Sequence, residues 1–357
     1  MRGRKPSKKL EIVNFVRSQI ASGKWSPGER IPFRTWFFTK FSTTPNTVQK
    51  AFDQLRDEGF IVAVPHFGTS VVDKPPFLNR HLVLLYGSPE KPGMLTQAIL
   101  AAAQKIEERR DATFDFAFVL DKPAEHPESM AALEAVRTHR YASVFFEAFS
   151  CNPVETAIAS IDNVPMSGIF SPVPQASGSH VLPLGTEWTD PANADLSPLF
   201  EECRKNGRRR IAVFDGSTLN ANREREIRTQ AKSYGLECGP YHVQIVSTNT
   251  WLVPLAKYPL RAVLAPEMPW QPDALVISDD NFVPVVEDVL REFYGTAAPR
   301  RFFIVAHGNL PHLPPTSLQI VFHGLDIEKT MESVLDYAES CTNRSKAKAP
   351  PPRLFSF

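Results

Sequence analysis

Four cysteines in 357 residues are too few and too scattered for a disulfide framework. Cys151, Cys203, Cys238 and Cys341 form no Cys-x-x-Cys pair and have no histidine beside them in a ligand pattern, which argues against zinc and fits a reducing compartment. No apolar run approaches the roughly 18 residues of a membrane span. The basic start MRGRKPSKK leads into an amphipathic segment and not into a signal-peptide core, so a soluble, cytoplasmic chain is expected. A Ser-His-Asp order, a phosphate-binding glycine loop and a cofactor lysine in a recognisable setting are all missing, so neither metal nor cofactor is expected.

Charge of one sign is also missing from the whole chain, which carries +1, but the balance is uneven. Residues 1–74 hold 13 Lys+Arg against 6 Asp+Glu, a net of +7, and against the total of +1 the remainder carries −6. A basic first module on an acidic body points to a polyanion partner for the first part alone. The length favours more than one domain, and 43% apolar residues suffice for real cores.

Within the basic module, Ile12, Val13, Val16 and Ile20 recur at helical spacing, and Gly23 with Pro27-Gly28 ends that helix. A short helix is expected over 34–41. The stretch TTPNTVQKAFDQLRDEGF (43–60) predicts a third, with Thr44 as N-cap, Pro45 in the first turn and Val48, Ala51, Phe52 and Leu55 as one buried stripe. Its exposed start gathers Asn46, Thr47, Gln49 and Lys50 at the positive end of the helix dipole, a place suited to phosphates or base edges. Segments 60–64 and 69–72 read as a β hairpin, and Trp25, Trp36, Phe37 and Phe38 as core. Three helices and a hairpin make a winged helix-turn-helix with 43–60 as its groove-entering helix.

QIASGKWSPGERIP, TPNTVQKAFDQLRDEGFI and FGTSVV, in that order and spacing, resemble the DNA-binding domain of GntR-type bacterial regulators over residues 8–72. The resemblance implies DNA contact by Thr44, Pro45, Asn46, Thr47 and Gln49, and by His66 and Gly68 of the wing. Many members read Ser-Glu-Arg after the Leu-Pro turn, whereas this chain reads Ile31-Pro32-Phe33-Arg34-Thr35. Arg34 either takes over that arginine's contact from one position away or the contact is absent.

A proline-stiffened linker, 76–80, separates a first domain (1–75) from the rest (81–357). There, β-like runs at 81–86, 114–120 and 141–149 alternate with helices at 95–108, 129–139 and 154–161, and runs at 165–170 and 180–184 close the half. A second set follows at 196–205, 211–214, 223–234, 241–246, 261–264, 275–278, 283–293 and 302–306. The expectation is a two-lobed α/β domain with parallel sheets and a ligand cleft between the lobes.

NGRRRIAVFDGS (206–217), PDALVISDDNFVPVVEDVLREFYG (272–295), FFIVAHGN (302–309) and LQIVFHGLDIEKTMESVLDYAES (318–340) resemble the LacI/GalR effector domain, which has the fold of type I periplasmic sugar-binding proteins. The tail PPPRLFSF resembles that family's final crossing strand. The resemblance implies ligand contact by Asp279 and Asp280, and by Arg223. The family's aspartate after a Gly-aromatic pair is replaced by Ala306-His307-Gly308-Asn309, so its contact is either lost or passed to Asn309. An aromatic ring among Tyr86, Phe170 and Trp270 suits the apolar face of a sugar.

Together these features are similar to the arabinose-repressor branch. They imply a homodimeric, ligand-responsive transcription repressor that binds a double-stranded DNA operator and a sugar-like effector and is not an enzyme. Two alternatives remain at this level: the DNA module fused to an enzyme, with Asp280 and Glu287 as an acid-base pair, and a dimeric regulator that has lost ligand sensing.

Overall fold

The computed structural model describes residues 7–21, 23–65, 67–73, 75, 79–138, 140–148, 152–161, 164–169, 195–216, 222–246 and 253–342. By internal contacts the chain divides into two compact units, one of residues 1–86, 106–186 and 331–353 and one of residues 87–105, 187–330 and 354–357.

The first unit opens with α1 (Lys8–Ala21), α2 (Arg34–Lys40) and α3 (Pro45–Asp57), followed by β1 (Ile61–Val64) and β2 (Gly68–Val71). α3 starts where its chemistry requires. Thr44 Oγ1 accepts from the Thr47 N–H at 3.3 Å and Pro45 occupies the first turn, where no N–H is needed. Val48, Ala51, Phe52 and Leu55 are all buried against Ile12, Val13, Val16 and Phe37. At about 1.5–3 kcal/mol for each large apolar side chain, that stripe anchors the helix. β1 and β2 pair antiparallel from Ile61 opposite Val71 to Val64 opposite Gly68. Residues 29–31 add a short third edge, with Ile31 N–H donating to Thr69 and Val71 N–H to Glu29.

The same unit continues with β3 (Arg80–Leu85), α4 (Met94–Arg109, whose last turn belongs here), β4 (Thr113–Phe118), α5 (Pro127–Arg137), β5 (Ser143–Phe146), α6 (Pro153–Ala159) and β6 (Met166–Gly168). These strands form a parallel sheet in the order β4-β3-β5-β6. β3, β5 and β6 are buried on nearly every residue, as strands covered on both faces must be, while the edge strand β4 buries only Phe114.

The second unit contains α7 (Ser197–Lys205), β7 (Arg210–Asp215), α8 (Arg223–Ser233), β8 (Glu237–Ile245), α9 (Lys257–Leu264), β9 (Ala274–Ile277), α10 (Val283–Tyr294), α11 (Ala298–Arg301), β10 (Phe303–Leu310) and β11 (Ile320–Asp326). α12 (Ile327–Thr342) follows. The sheet is parallel throughout, ordered β11-β10-β9-β7-β8. Phe214 lies opposite Ile277, and Ile277 opposite Ala306, so β7 and β9 end nearly together while β10 runs on to Leu310 beside β11.

Two expectations shift in detail. β8 begins at Glu237, four residues before the expected start at 241, and run 261–264 is the last part of helix α9. The run 180–184, residue 170 and the tail from 350 onward lie outside the described residues.

Candidate functional site

The winged domain keeps most of the polar groups at the start of α3 on the surface. Thr44, Pro45, Asn46 and Lys50 are exposed, while Thr47 and Gln49 are half-buried. Gln49 is already committed on one side: its Nε2 donates to Asp53 Oδ1 at 2.8 Å, and Arg56 donates to the same oxygen at 2.7 Å. This leaves the Gln49 carbonyl oxygen and its second Nε2 hydrogen outside that bond. Thr44 spends its hydroxyl on the cap and on Thr47 Oγ1 at 3.0 Å.

At the wing, Gly68 has φ +111°, a conformation that side chains avoid, and a Cβ there would come within 3.1 Å of Arg30 Nε. Arg30 is held over Phe33 at 4.2 Å and Phe67 at 5.4 Å, and both rings are solvent-exposed. Arg34, the residue expected to reach DNA, is exposed with its guanidinium over Phe52. Arg30, Phe33, Arg34, Phe52, Gly68 and Thr69 share a cavity of about 560 Å³. Sequence reasoning missed the Arg30, Phe33 and Phe67 stack, although a large apolar side chain in the Pro-Phe-Arg turn was its signal. His66 lies outside the described residues. Of the aromatics expected as core, Phe37 is fully buried and Trp25 and Phe38 are partly so, but Trp36 is 40% exposed and carries Lys40 over its ring at 5.0 Å.

The second unit collects buried charge at the carboxyl ends of its strands. Asp215 closes β7 and is fully buried. Arg223, in the first turn of α8, reaches it with two bonds, Nε to Oδ2 at 2.9 Å and Nη2 to Oδ1 at 3.1 Å. Arg223 is therefore an oriented arginine, held by a carboxylate that the sequence reading did not single out. The signal was present: IAVFD is a buried strand closed by an acid.

Ser278 follows β9, and its hydroxyl accepts from the Gly216 N–H at 2.8 Å, tying the ends of β7 and β9 together. Asp279 caps the next turn, accepting from Asn281 N–H at 2.9 Å and from Asn281 Nδ2 at 2.7 Å. Asn281 in turn accepts from the Met94 N–H at 3.0 Å. Asp280 is 2% exposed, and Asn309, near the end of β10, donates to it at 3.1 Å.

Burial first, and then the neighbouring Asp279 charge, push the Asp280 carboxyl well above its ordinary value. Burial also raises Asp279, helped by Asp215 and opposed by the Asn281 hydrogen bonds. Burial holds His307, two residues before Asn309, below the ordinary imidazole value. The cluster thus contains hydrogen-bonded carboxylates, of which Asp279 and Asp280 hold their protons more tightly than usual, an oriented guanidinium and an amide. Such a set suits a small ligand rich in hydroxyl donors.

The remaining expected residues stand elsewhere. Tyr86 follows β3 in the first unit, where its hydroxyl donates to buried Glu155 at 2.8 Å and its N–H to Glu147 at 2.9 Å. Trp270 precedes the amino end of β9, so the structure does not bring it to Asp280. Its indole packs on His242 with centroids 4.2 Å apart, in space left by Gly239. Phe170 lies outside the described residues.

Glu287 is likewise not poised for acid-base work beside Asp280. Burial pushes its carboxyl up, but bonds from Ser317 at 2.6 Å, Thr316 at 2.5 Å and Arg291 at 2.9 Å outweigh this and hold it at about 2. Burial pushes the Cys203 thiol to about 12 and Cys238 to about 11, so neither is a ready nucleophile. Among the described residues, no group of His, Cys, Asp and Glu is placed to hold a metal ion, and no helix is long and apolar enough to cross a membrane.

Comparison with known proteins gives these two regions their class. Residues 8–71 match the family described as bacterial regulatory proteins, gntR family. This segment is a GntR-family helix-turn-helix domain. The chain is also 28% identical over 109 residues to the uncharacterized HTH-type transcriptional regulator YurK of Bacillus subtilis, a match spanning 28% of this chain and 44% of that protein.

The α/β part is similar in fold to a LacI family transcriptional regulator from Lactobacillus casei. With bound sucrose that structure gives a TM-score of 0.55 at 14% identity, and with bound glucose 0.53 at 14%. Each alignment covers 78% of this chain and 97% of the other. The architecture is a GntR-family DNA-binding domain followed by a LacI-like α/β domain with parallel sheets.

Proposed function

We propose that this chain is a ligand-responsive, DNA-binding transcription repressor of the cytoplasm. Residues 8–71 bind a double-stranded operator, and a sugar or sugar derivative bound at the carboxyl ends of β7, β9 and β10 changes operator affinity without being altered. The observation that carries the DNA half is the gntR-family match over a complete winged fold whose α3 presents exposed polar groups at its start. What supports the effector half is the convergence of Asp215, Arg223, Asp279, Asp280 and Asn309 in a fold whose solved neighbours include a sugar-bound regulator.

In this reading the buried carboxylates accept ligand hydroxyls, Arg223 orients an oxygen of the ligand, and Asn309 serves both Asp280 and the ligand. The effector acts as a switch only because it binds one conformation of the protein better than another. The protein works as a homodimer, since one winged module reads few bases and a two-fold protein matches a two-fold site. The test has two parts: selection of bound duplexes from a random pool, and a calorimetric screen of sugars. The expected results are an operator with two symmetric half-sites and a sugar that binds without turnover. Selection of no sequence, or chemical conversion of the bound sugar, would refute the proposal.

A further inference from the structure

The sheet of the second unit has a second concentration of charge at its other end. A cavity of about 620 Å³ opens at the amino ends of β7, β9, β10 and β11, and its walls include Arg208, Arg210, Gln271, Asp273, Arg300 and Arg301. Four arginines and one aspartate stand there, in a part of the chain whose net charge is −6. That aspartate is engaged: its oxygens accept from the backbone N–H groups of Arg209 at 3.3 Å and Arg210 at 3.1 Å.

Aromatic faces, not carboxylates, hold two of the guanidinium groups. Arg208 lies over Phe303 at 5.2 Å, and Arg301 over Phe302 at 4.7 Å and Tyr294 at 5.2 Å. Stacking leaves in-plane N–H donors available to an anion. Two buried polar atoms of the lining residues have no hydrogen-bond partner among the described residues: the donor Arg208 Nε and the acceptor Gln271 Oε1. Gln271 cannot simply be turned around, because its Nε2 donates to the carbonyls of Ala265 at 2.9 Å and Met268 at 3.0 Å.

An occupant that satisfies both atoms brings anionic oxygens for the arginines and a hydroxyl for Gln271. We propose that this cavity binds a small phosphorylated polyhydroxy metabolite, a phosphate monoester, as an input separate from the effector at Asp280. Arg208 and Arg300 take the phosphoryl oxygens, and Gln271 accepts from a hydroxyl of the same molecule.

Glucose 6-phosphate and inorganic phosphate are the probes, added to the full-length protein at constant ionic strength with chloride as the reference, and read by calorimetry and thermal shift. Saturable binding is expected, tighter for glucose 6-phosphate than for phosphate. Arg208→Gln with Arg300→Ala should weaken it by at least about tenfold, equivalent to about 1.4 kcal/mol. Gln271→Leu should erase the preference for the ester. Arg225→Ala, at an exposed position of α8, and Asp280→Asn should leave binding unchanged, which separates this site from the carboxylate cluster. If the Arg208 variant does not fold, Arg210→Ala with Arg300→Ala, both exposed, carries the same expectation.

The proposal is overturned by stabilisation no greater than chloride gives, by equal affinity for phosphate and its ester, or by loss of binding in Asp280→Asn. A fall in duplex DNA affinity in the double variant, without any ester binding, also overturns it and reassigns the arginines to nucleic acid.

Discussion

The winged domain and the carboxyl ends of the second unit's sheet handle polar groups in opposite ways. On α3 the polar side chains are solvated or only half-buried and are set by one helix cap and the Gln49–Asp53–Arg56 bonds. At the strand ends Asp215, Arg223, Asp280 and Asn309 are buried, and Asp279 and Asp280 are displaced from their ordinary titration. A solvated cationic surface binds by releasing counterions from DNA, so its affinity falls steeply with salt. A desolvated cluster binds by completing hydrogen bonds that water no longer supplies, so its energy depends on geometry and protonation. In the proposed reading, affinity for a polyanion and selectivity for a small hydroxyl-rich ligand therefore fall to different regions for a physical reason.

The comparison is broken most severely at Asp215. Asp215→Ala removes two charge-assisted bonds from the buried Arg223 guanidinium, and loss of one partner of a buried pair costs about 3–5 kcal/mol. Urea denaturation of the full chain should show the transition of the second unit at much lower denaturant, while any separate transition of the winged domain stays in place. The reverse pattern would mean that this pair does not support the sheet.

Asp280 sharpens the contrast through pH. Because the native protein holds its proton more tightly than the unfolded chain does, stability falls as pH rises from the ordinary carboxyl value toward the raised native value. A tenfold difference in proton affinity corresponds to about 1.4 kcal/mol. Asp280→Asn should flatten that dependence and raise the melting temperature at neutral pH. A steeper dependence in the variant would contradict the assignment.

These two regions also differ in how much of them is readable before folding. Thr44, Pro45 and the Val48, Ala51, Phe52, Leu55 stripe sit within one helix, so capping chemistry and a 3.6-residue period disclose them directly. The cluster at Asp280 comes from strand ends dozens of residues apart. Resemblance pointed to Asp279, Asp280, Arg223 and Asn309, but the Asp215 partner of Arg223 became visible only where the end of β7 meets the first turn of α8. Trp270 was misplaced for the same reason: an aromatic near a strand gives no sign of which end of the sheet it occupies. Arg30 was hidden because its role depends on the approach of Gly68 in the wing.

On the DNA side the expected effects are smaller. Gln49→Ala should cost about 1–3 kcal/mol and relax the base preference at one position per half-site. Asp53→Ala, which frees the Gln49 amide, should alter that same position. Selection on random duplexes reads both, and an unchanged preference in Gln49→Ala would remove Gln49 from base readout. Smallest of all, Thr44→Ala should cost about 1 kcal/mol of winged-domain stability through its lost cap, measured by thermal melting.

The most direct test titrates the selected operator with wild type and with Asp280→Asn, each with and without the sugar recovered from the screen. Wild type should change operator affinity by about 5- to 150-fold on adding the sugar, the range of an ordinary coupling of roughly 1–3 kcal/mol. Asp280→Asn should bind the operator as wild type does without sugar and show no change with it. A full response in Asp280→Asn would contradict the account.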